Sequence, residues 1–573
     1  MPQRPFFARP VVKVGGRELD SEIALALEEV IVDQSLIHPD MFELHLRDGT
    51  GKVLADSGLA HGTAVKLECV SSGSGGGVLI DGEVTSLESR LDHTGVLAVV
   101  RGYDKAHRLH SGRKTRTFKN SKISDVASQM AGDAGLQAGT ITDSGTVLDV
   151  VSQHNQTDWE FLLSHADELG FEVVVETGKL HFRKPPQSSE APSPGDYDND
   201  SDPNTLIWGQ DLLEFHPRIS GAQQVGQVEV RSWDPDQKQA IVSTSSASSD
   251  HATLQLSPSS LAGKLSASSA KHTHVTTPHR KQQQTDKEAD AIAQHLGSSF
   301  AEADGMCVGT PIVKAGAKIS ISHVGQHFTG KYTITSARHC FDNYDGYVTR
   351  FTISGRQDRS MLGLMSGATA PQPDFHGVVC AQVTDNNDPD KKGRVKLKFP
   401  WLSGDYETDW VRMLHPGAGP SSGAVWVPEV NDEVLVAFEH GDMRHPYVLG
   451  SLFNGKDMPL LGDGIFDNGK VKRRGMVSRK GHKLLFFDDS SKSGVAIHSS
   501  DGNLKISINE QNGEIKIHAN KKVTILTDSD KVSITAGGDM DLIAQKKLTL
   551  QGSQVAITSS GDITMSGTPI KLN

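Results

Sequence analysis

Residues 495–565 repeat one short pattern, and this repeat limits what the chain of 573 residues can fold into more than any other feature. Each unit holds two apolar residues separated by one other residue, and units follow at steps of seven to nine residues, apart from one step of eleven. Alternation along a strand puts both apolar residues of a pair on one face, and the intervening Asp, Gly, Asn, Ser and Lys supply turns. The sequence therefore predicts nine short strands. The nine pairs are Val495/Ile497, Leu504/Ile506, Ile515/Ile517, Val523/Ile525, Val532/Ile534, Met540/Leu542, Leu548/Leu550, Val555/Ile557 and Ile563/Met565.

Each predicted strand offers only a narrow apolar strip, which a single chain cannot cover with the rest of itself. Three chains wrapped about one axis would bring three strips together inside and leave no open strand edge. At about 4.7 Å per strand level, nine levels form a rod roughly 40 Å long. A single-chain β-solenoid or a flat β-array is the alternative. The predicted trimer core takes one residue from each unit: Ile497, Ile506, Ile517, Ile525, Ile534, Leu542, Leu550, Ile557 and Met565.

The rest of the chain is also predicted to be mainly β. The whole chain is several times the usual domain size. It contains 57 Gly and only 6 % aromatic residues, and turn residues bound many short runs of alternating apolar and polar residues. Residues 185–204 are rich in Pro, Ser, Asp and Asn and predict a flexible loop. The expected order is a first β-barrel with helices at 1–184, a flexible loop at 185–209, a second barrel at 210–365, a linker at 366–376, a compact all-β domain at 377–456, a connector at 457–476 and the β-helix at 477–573.

Three amphipathic helices are predicted within the two barrel regions. The first follows Ser121, and the second begins at a capping box formed by Thr157 and Glu160 and ends at Gly170. A third helix is predicted to open with a second capping box, formed by Thr285 and Glu288. Because a helix with a capping box again follows a set of strands, the second barrel is predicted to repeat the arrangement of the first.

Charge and cysteine content exclude several classes of protein. The 58 Lys and Arg residues against 70 Asp and Glu give a net charge of −12, which argues against a general nucleic-acid-binding role. Four widely spaced cysteines predict reduced, buried thiols rather than disulfides or a zinc cage. Because the N-terminus has no apolar run of signal-peptide length, we expect a protein made in the cytoplasm without a signal peptide.

Three stretches that precede the repeat carry specific motifs. The first stretch is 153–162 with 168–171, and the second is 330–334 with His339 and 346–347. The third and most specific stretch contains Gly393-Arg394-Val395-Lys396-Leu397-Lys398-Phe399-Pro400-Trp401, 410–412, 425–434 and Phe438-Glu439-His440-Gly441-Asp442-Met443-Arg444-His445-Pro446-Tyr447-Val448-Leu449-Gly450. Together with the repeat, these stretches resemble the VgrG family, the spike proteins of type VI secretion, contractile phage tails and extracellular contractile injection systems. The resemblance covers nearly the whole chain.

This resemblance implies two hub β-barrels, an OB-fold barrel at 377–456 and a trimeric intertwined β-helix spike. It also implies a homotrimer that seats on a hexameric inner tube protein and on baseplate proteins, and that punctures the target membrane mechanically. The particle is expected to be cytoplasmic or released extracellularly, with effector cargo as a further partner and no nucleic acid. A PAAR-type tip protein is expected at the end of the repeat, on Thr568, Pro569, Ile570, Lys571 and Leu572.

No catalytic residue, metal ligand or cofactor is predicted. His339 and Cys340 are neighbours on an alternating strand and therefore point to opposite faces. His440, Asp442 and His445 lie in the OB-fold stretch, where turn geometry explains them more simply, and the His272, His274 and His279 run is expected to be solvated. The chain stops directly after the repeat, so no effector domain is expected behind it. A spike with an embedded cell-wall hydrolase and a passive tail adhesin are the alternative functions.

Overall fold

The computed structural model describes residues 8–71, 76–93, 95–195, 202–265, 270–361, 363, 375, 377–402, 404, 406–459, 461 and 464–571. They form two compact units, Met1–Asn454 and Gly455–Asn573. A mainly β fold is confirmed. Among the residues that the structure describes, no helix is long and apolar enough to cross a membrane.

The first barrel region contains twelve strands and four helices among the described residues. The strands are β1 (Ala8–Val14), β2 (Arg17–Glu18), β3 (Leu27–Ser35), β4 (Met41–Arg47), β5 (Ala64–Ser71), β6 (Gly77–Asp92), β7 (Gly95–Asp104), β8 (Lys114–Ser121), β9 (Gln137–Ile141), β10 (Leu148–Gln156), β11 (Glu172–Glu176) and β12 (Lys179–Arg183). The helices are α1 (Ser21–Leu25), α2 (Val53–Asp56), α3 (Ile123–Asp133) and α4 (Asp158–Leu169).

The second barrel region contributes eleven described strands and two helices. The strands are β13 (Thr205–Ile207), β14 (Leu212–Ile219), β15 (Gln227–Asp234), β16 (Gln239–Ser246), β17 (Ala252–Thr253), β18 (Lys271–His274), β19 (Ala301–Val308), β20 (Lys318–Ser322), β21 (Gly330–Thr333), β22 (Ser336–Asp342) and β23 (Gly346–Ile353). The helices are α5 (Pro258–Leu265) and α6 (Gln282–Ser298).

The two barrel regions share one sheet, which the sequence did not reveal. Its order is β14-β19-β23-β22-β3-β4-β7-β6-β5-β1-β2, so that strands of both regions form a single eleven-stranded sheet. The junction is antiparallel pairing of β22 with β3, from Ser336 opposite Ser35 to Asp342 opposite Glu29. Each strand thereby covers an edge that the other would leave open.

The helix predictions are confirmed in part. The α4 capping box is present, because the Glu160 amide donates to Thr157 Oγ1 at 3.1 Å and the Thr157 amide donates to Glu160 Oε2 at 3.0 Å. The second capping box is wrong. Helix α6 begins one turn earlier, at Gln282, and the Glu288 carboxylate is instead bound by His279 and His274.

Part of the segment expected to be a flexible loop packs against the second region. Ser188 is buried, and its amide donates to the Asp250 carbonyl at 2.7 Å. Lys318 forms an ion pair of 2.6 Å with Glu190. The structure therefore differs from a free loop over residues 185–195, because backbone and side-chain partners in the neighbouring strands offset the cost of ordering this polar stretch.

A small barrel follows at the position where the sequence predicts an OB fold. Its strands are β24 (Val378–Asp385), β25 (Lys396–Lys398), β26 (Arg412–Met413), β27 (Ala418–Gly419), β28 (Ser422–Gly423), β29 (Glu433–Phe438) and β30 (Pro446–Ser451). The main sheet has the order β25-β24-β29-β30-β26, and a bridge between Val395 and Val411 joins its ends. Alternate residues of these strands, including Val383, Leu397 and Val436, are fully buried in one core.

The second unit contains β31 (Phe466–Asp467), β32 (Lys470–Val471), β33 (Arg473–Val477), β34 (Lys483–Asp489), β35 (Lys492–His498), β36 (Leu504–Asn509) and β37 (Glu514–Ala519). Strands β33 to β37 pair in chain order as one antiparallel sheet. Described residues after Ala519 form no strand.

Candidate functional site: the apolar face of the C-terminal sheet

Tight turns between the strands set the register of the C-terminal sheet. Gly502 lies at φ 75° and donates its amide to Ser499 O at 3.1 Å, and Gly513 lies at φ 62° and donates to Glu510 O at 3.3 Å. Glycine adopts this left-handed backbone without the steric cost that a Cβ imposes. Each turn leads into the next strand in a register that places the apolar residues of successive strands opposite one another.

This register arranges the apolar side chains in two rows across one face. The first row joins Met476, Leu484, Ile497, Ile506 and Ile517 through successive cross-strand pairs. The second row joins Phe486, Val495, Ile508 and Ile515 in the same way. Directly opposed apolar side chains of this kind are the pairs that stabilise a sheet. We call the nine residues the apolar face.

Most of the apolar face is open in the single chain. Ile506 is 48 % exposed, Ile497 53 % and Ile515 73 %. On the opposite side of the sheet, Leu485 and Ala496 are buried. A contiguous exposed apolar surface of more than a few hundred Å² marks an interaction site. The apolar face is therefore the candidate functional surface of this unit.

The structure places the predicted core residues in two different settings. Ile497, Ile506 and Ile517 belong to the apolar face, whereas six others follow the last strand and are all more than half exposed; these are Ile525, Ile534, Leu542, Leu550, Ile557 and Met565. Of the nine predicted strands, only β35, β36 and β37 form among the described residues. The nine strands are predicted for three chains wrapped together, and for the six later pairs this stays a prediction.

Sequence reasoning missed several members of the apolar face. Met476, Leu484, Phe486 and Ile508 belong to the two rows but fall outside the nine predicted pairs. The signal was present, since Leu484/Phe486 repeats the same spacing and Ile508 extends the alternation of Leu504 and Ile506. The apolar face begins one strand pair earlier than the repeat predicted.

The predicted tip residues lie at the end of the described chain. Thr568, Pro569, Ile570 and Lys571 are described, and Leu572 lies outside the described residues. Ile570 is 48 % exposed. Thr568, Pro569, Ile570 and Lys571 are therefore all exposed where the tip protein is expected.

A second cluster joins helix α4 to the OB barrel. Arg444 of the barrel forms an ion pair of 2.9 Å with Glu168 of α4, and its guanidinium also donates to Asp442 at 2.8 Å. Burial would raise the pKa of the Glu168 carboxyl, but Arg444 and His165 outweigh it and hold this pKa well below its usual value. Glu168 and Arg444 belong to two of the stretches that carry the family resemblance. Their contact therefore ties the hub to the barrel.

Histidines in the same junction are buried as neutral rings. The His154 ring meets the edge of Tyr406 with centroids 5.5 Å apart, and neither ring nitrogen has a hydrogen-bond partner. Burial lowers the pKa of His154 to about 4 and that of His445 to about 4. The Asp442 carboxylate accepts hydrogen bonds from the guanidinium of Arg444. These residues act as packing and pairing groups.

The remaining histidine candidates have structural partners, and the expectation of a solvated run is wrong for His279, which is buried. His279 Nε2 lies 2.8 Å from the Glu288 carboxylate and His274 Nε2 lies 3.4 Å from it. His339 is buried between the Tyr347 hydroxyl at 2.9 Å and Gln34 at 3.2 Å. Across the described ranges, no group of three or more His, Cys, Asp or Glu side chains is placed to hold a metal ion.

Family comparison agrees with this architecture. A family model described as Alg8 N-terminal domain matches residues 12–343, which is more than half of the chain. The chain belongs to the Alg8 N-terminal domain family. A second model, described as type VI secretion system/phage-baseplate injector OB domain, matches residues 379–453 of this family member. That range is the β24–β30 barrel, so the predicted OB fold is confirmed.

Curated relatives of this Alg8 N-terminal domain protein confirm the resemblance to VgrG proteins. The chain is 22 % identical over 483 residues to the actin cross-linking toxin VgrG1 of Vibrio cholerae, with 79 % of this chain and 42 % of the relative covered. It is 30 % identical over 108 residues to the type VI secretion system spike protein VgrG3 of Vibrio cholerae, with 18 % and 11 % covered. The chain thus spans less than half the length of these relatives.

A solved structure supports the fold. The Francisella PdpA-VgrG complex has a chain that matches with a TM-score of 0.52 and 10 % identity, covering 90 % of this chain and 88 % of that chain. At this identity the likeness concerns the fold alone. It extends over most of the hub, barrel and C-terminal residues.

Proposed function

We propose that the chain is the spike of a contractile injection system, which acts as a homotrimer and punctures a target membrane mechanically. The observation that carries the proposal is the apolar face of the C-terminal sheet. Two rows of apolar side chains, continued by the exposed apolar pairs up to Met565, give the single chain an uncovered strip along the whole repeat.

Trimerisation would bury that strip. Fully burying a side chain such as isoleucine stabilises by about 1.5–3 kcal/mol, so a strip with nine levels on three chains supplies a large driving force. Three copies about one axis place equivalent residues together, and the later segments would find backbone partners on the neighbouring chains. The six apolar pairs that form no strand in one chain are then accounted for.

The mechanism is rigidity rather than turnover. In a closed rod every backbone donor and acceptor is paired within the shaft, which leaves no soft loop to deform under load. Contraction of another protein would supply the force. This chain would transmit that force to the target membrane.

The partners in this proposal follow from the expected assembly. The trimeric hub would seat on a hexameric inner tube protein and on baseplate proteins, and effector cargo would travel with the spike. A PAAR-type tip protein would bind at Thr568, Pro569, Ile570 and Lys571, with Leu572 as the next residue. The exposed Ile570 side chain supplies an apolar contact at this end.

Two other functions predict different results. A spike with an embedded hydrolase would release muropeptides from cell walls, and a passive adhesin would bind cell surfaces without any tube partner. The name of one relative attributes actin cross-linking to that protein. For this chain we propose no catalytic step, because the described residues that first suggested chemistry are engaged in pairing and packing.

The test is the mass of the purified full-length chain in solution, measured by light scattering. A mass three times that of one chain is expected. A monomer at micromolar concentration would contradict the proposal, because the apolar strip would then lack the partner on which the rod depends.

A further inference from the structure

A cavity lies within the first unit, at the place where the hub meets the OB barrel. Its volume is about 680 Å³, which is within the range of about 300–1,000 Å³ typical of small-molecule sites. One wall comes from β10 and the C-terminal end of α4, a second from the start of α6, and a third from residues of the OB barrel such as Tyr406 and Arg412. All three walls belong to one chain and one unit. We call this space the junction cavity.

The lining of the junction cavity carries an excess of positive charge. Seven Lys and Arg side chains line it, against four Asp and Glu side chains, although the whole chain has a net charge of −12. Four of the seven cations pair with a carboxylate: Arg280 with Glu439, Lys392 with Asp236, Arg394 with Asp388 and Arg444 with Glu168. The other three, Lys281, Lys287 and Arg412, form no ion pair with any residue that the structure describes.

Lys287 has a neutral partner for its charge. Its side chain is half-buried, and Nζ donates a hydrogen bond to the Ser144 carbonyl. The Asp143 carboxylate acts on Lys287 from beyond ion-pair distance and is itself paired with Lys122 at 2.9 Å. Burial lowers the pKa of the Lys287 ammonium, because removing a charge from water without a counter-ion is unfavourable. An anion in the cavity would offset that cost.

Arg412 also has a neutral partner. Its guanidinium lies over the Tyr447 ring, 5.5 Å from the centroid, and donates to the Tyr447 hydroxyl at 3.4 Å. Arg280 donates to the same hydroxyl at 3.1 Å, so two guanidinium groups meet there. Lys392 and, more weakly, Arg412 lower the pKa of the Asp236 carboxyl, but that carboxylate pairs with Lys392 at 2.8 Å. Arg412 therefore keeps N–H groups that no described carboxylate occupies.

The remaining unpaired cation lies on the same wall as Lys287. Lys281, at the N-cap of α6, and Lys287 lie on one face of the helix, with Gln284 between them at helical spacing, and all three residues line the cavity. The first turn of α6 contains no acidic residue, so nothing there compensates the partial positive charge at the amino end of the helix. The α6 wall is therefore positive where it faces the cavity.

Another part of the wall is apolar. Val147, Leu148 and Leu169 line the cavity from the first barrel region, and Val147 is 49 % exposed. An inorganic ion alone would leave these side chains in contact with water. An organic group attached to the anion would cover them, and burying apolar surface is favourable.

We propose that the junction cavity binds a small organic molecule that carries a phosphate group. The phosphate oxygens are held by Lys281, Lys287 and Arg412, because several acceptor oxygens can each meet a different cation. The organic part packs on Val147 and its apolar neighbours. This site does not depend on trimerisation, since a single chain supplies every wall.

Phenyl phosphate is the probe, and isothermal titration calorimetry on the purified full-length chain measures its binding. Inorganic phosphate lacks the ring, and benzoate replaces the phosphate by a carboxylate. Saturable binding is expected for phenyl phosphate, with weaker binding for both other compounds. Lys287→Gln and Lys281→Gln should each weaken the binding of phenyl phosphate about tenfold, which is the effect of losing one charge-assisted hydrogen bond.

Matched controls separate the site from general attraction of anions to the surface. Lys264→Gln and Arg17→Gln remove exposed cations that do not line the cavity, and they should leave binding unchanged. The Tm of each variant without ligand shows that it folds. Lys281 is exposed, so Lys281→Gln should keep the Tm of the natural chain even if Lys287→Gln lowers it.

Three results would overturn parts of this proposal. Absence of saturable binding, or unchanged binding by Lys281→Gln and Lys287→Gln, overturns the site. Benzoate that binds as tightly as phenyl phosphate overturns the choice of phosphate, and inorganic phosphate that binds as tightly overturns the role of the apolar wall. Each of these results leaves the spike proposal standing, because the mass of the chain in solution tests that proposal separately.

Discussion

Ile506→Asp should prevent the C-terminal sheets of three chains from assembling into a trimer. Ile506 lies in the first row, opposite Ile497 on one side and Ile517 on the other, and is 48 % exposed in the single chain. In the proposed trimer the exposed part becomes buried. The substitution then places a carboxyl group without a cation at this level on each of three chains.

The size of the effect follows from the general cost of burying a carboxyl group. Burial raises the pKa of an unpaired carboxyl by about 3 units, and each pKa unit corresponds to about 1.4 kcal/mol. Holding each carboxyl neutral at pH 7 therefore costs about 4 kcal/mol, or about 12 kcal/mol for three copies. Loss of the half-burial of three isoleucines adds about 3 kcal/mol. The charge alone lowers the association constant by about nine orders of magnitude.

Light scattering at micromolar concentration measures the outcome. Ile506→Asp should be monomeric at pH 7 and should regain trimers as the pH falls towards 5, because protonating the carboxyl then costs less. Ile506→Asn, of similar shape and without charge, should lose less affinity. Ser507→Asp carries the same charge on the opposite face, opposite Ala496 and Lys516, and should remain trimeric.

Two results would refute this reasoning. A stable Ile506→Asp trimer at pH 7 would show that the apolar face is not buried between chains. Equal dissociation of Ser507→Asp would show that charge anywhere on the sheet is disruptive, and that the face has no special role.

Further predictions concern the hub, its junction with the barrel, and the tip. Arg444→Met leaves the Glu168 carboxylate buried without its cation and should destabilise the first unit by about 3–5 kcal/mol in urea unfolding, with partial recovery when Glu168→Gln is added. Thr157→Ala removes the acceptor of the α4 capping box and should cost about 1 kcal/mol, measured as a lower Tm. The pKa of His154 falls from 6.5 to about 4 on folding. Its contribution to the free energy of unfolding is therefore present above pH 6.5 and is lost as the pH falls towards 4. His154→Phe should make the free energy of unfolding less sensitive to acid, by roughly 3 kcal/mol over this range. Ile570→Asp should abolish capture of a PAAR-type tip protein in a pull-down while light scattering still reports a trimer.

The sequence predicts the C-terminal sheet well where local alternation decides the outcome. Pairs such as Val495/Ile497 and Ile515/Ile517 share a face because side chains alternate in any strand, whichever strands are its neighbours. The capping box of Thr157 is equally local. Both features depend on residues a few positions apart, which a sequence shows directly.

Features that depend on distant residues could not be predicted from the sequence. Thr285 and Glu288 have the spacing of a capping box, yet two histidines from the preceding segment bind that carboxylate. Arg444 meets Glu168 across 276 residues. No local pattern identifies such partners, because the choice is made by tertiary packing and by the cost of leaving a buried charge unpaired.

The pairing of β22 with β3 has a consequence for how the hub can be divided. Seven opposed residue pairs join strands that are about 300 positions apart in the chain, in the middle of the eleven-stranded sheet. Cutting the chain between the two regions would strip one neighbour from each of these strands and expose two long edges to unrelated chains. The hub should therefore melt in a single calorimetric transition, and fragments ending near residue 184 should aggregate rather than fold.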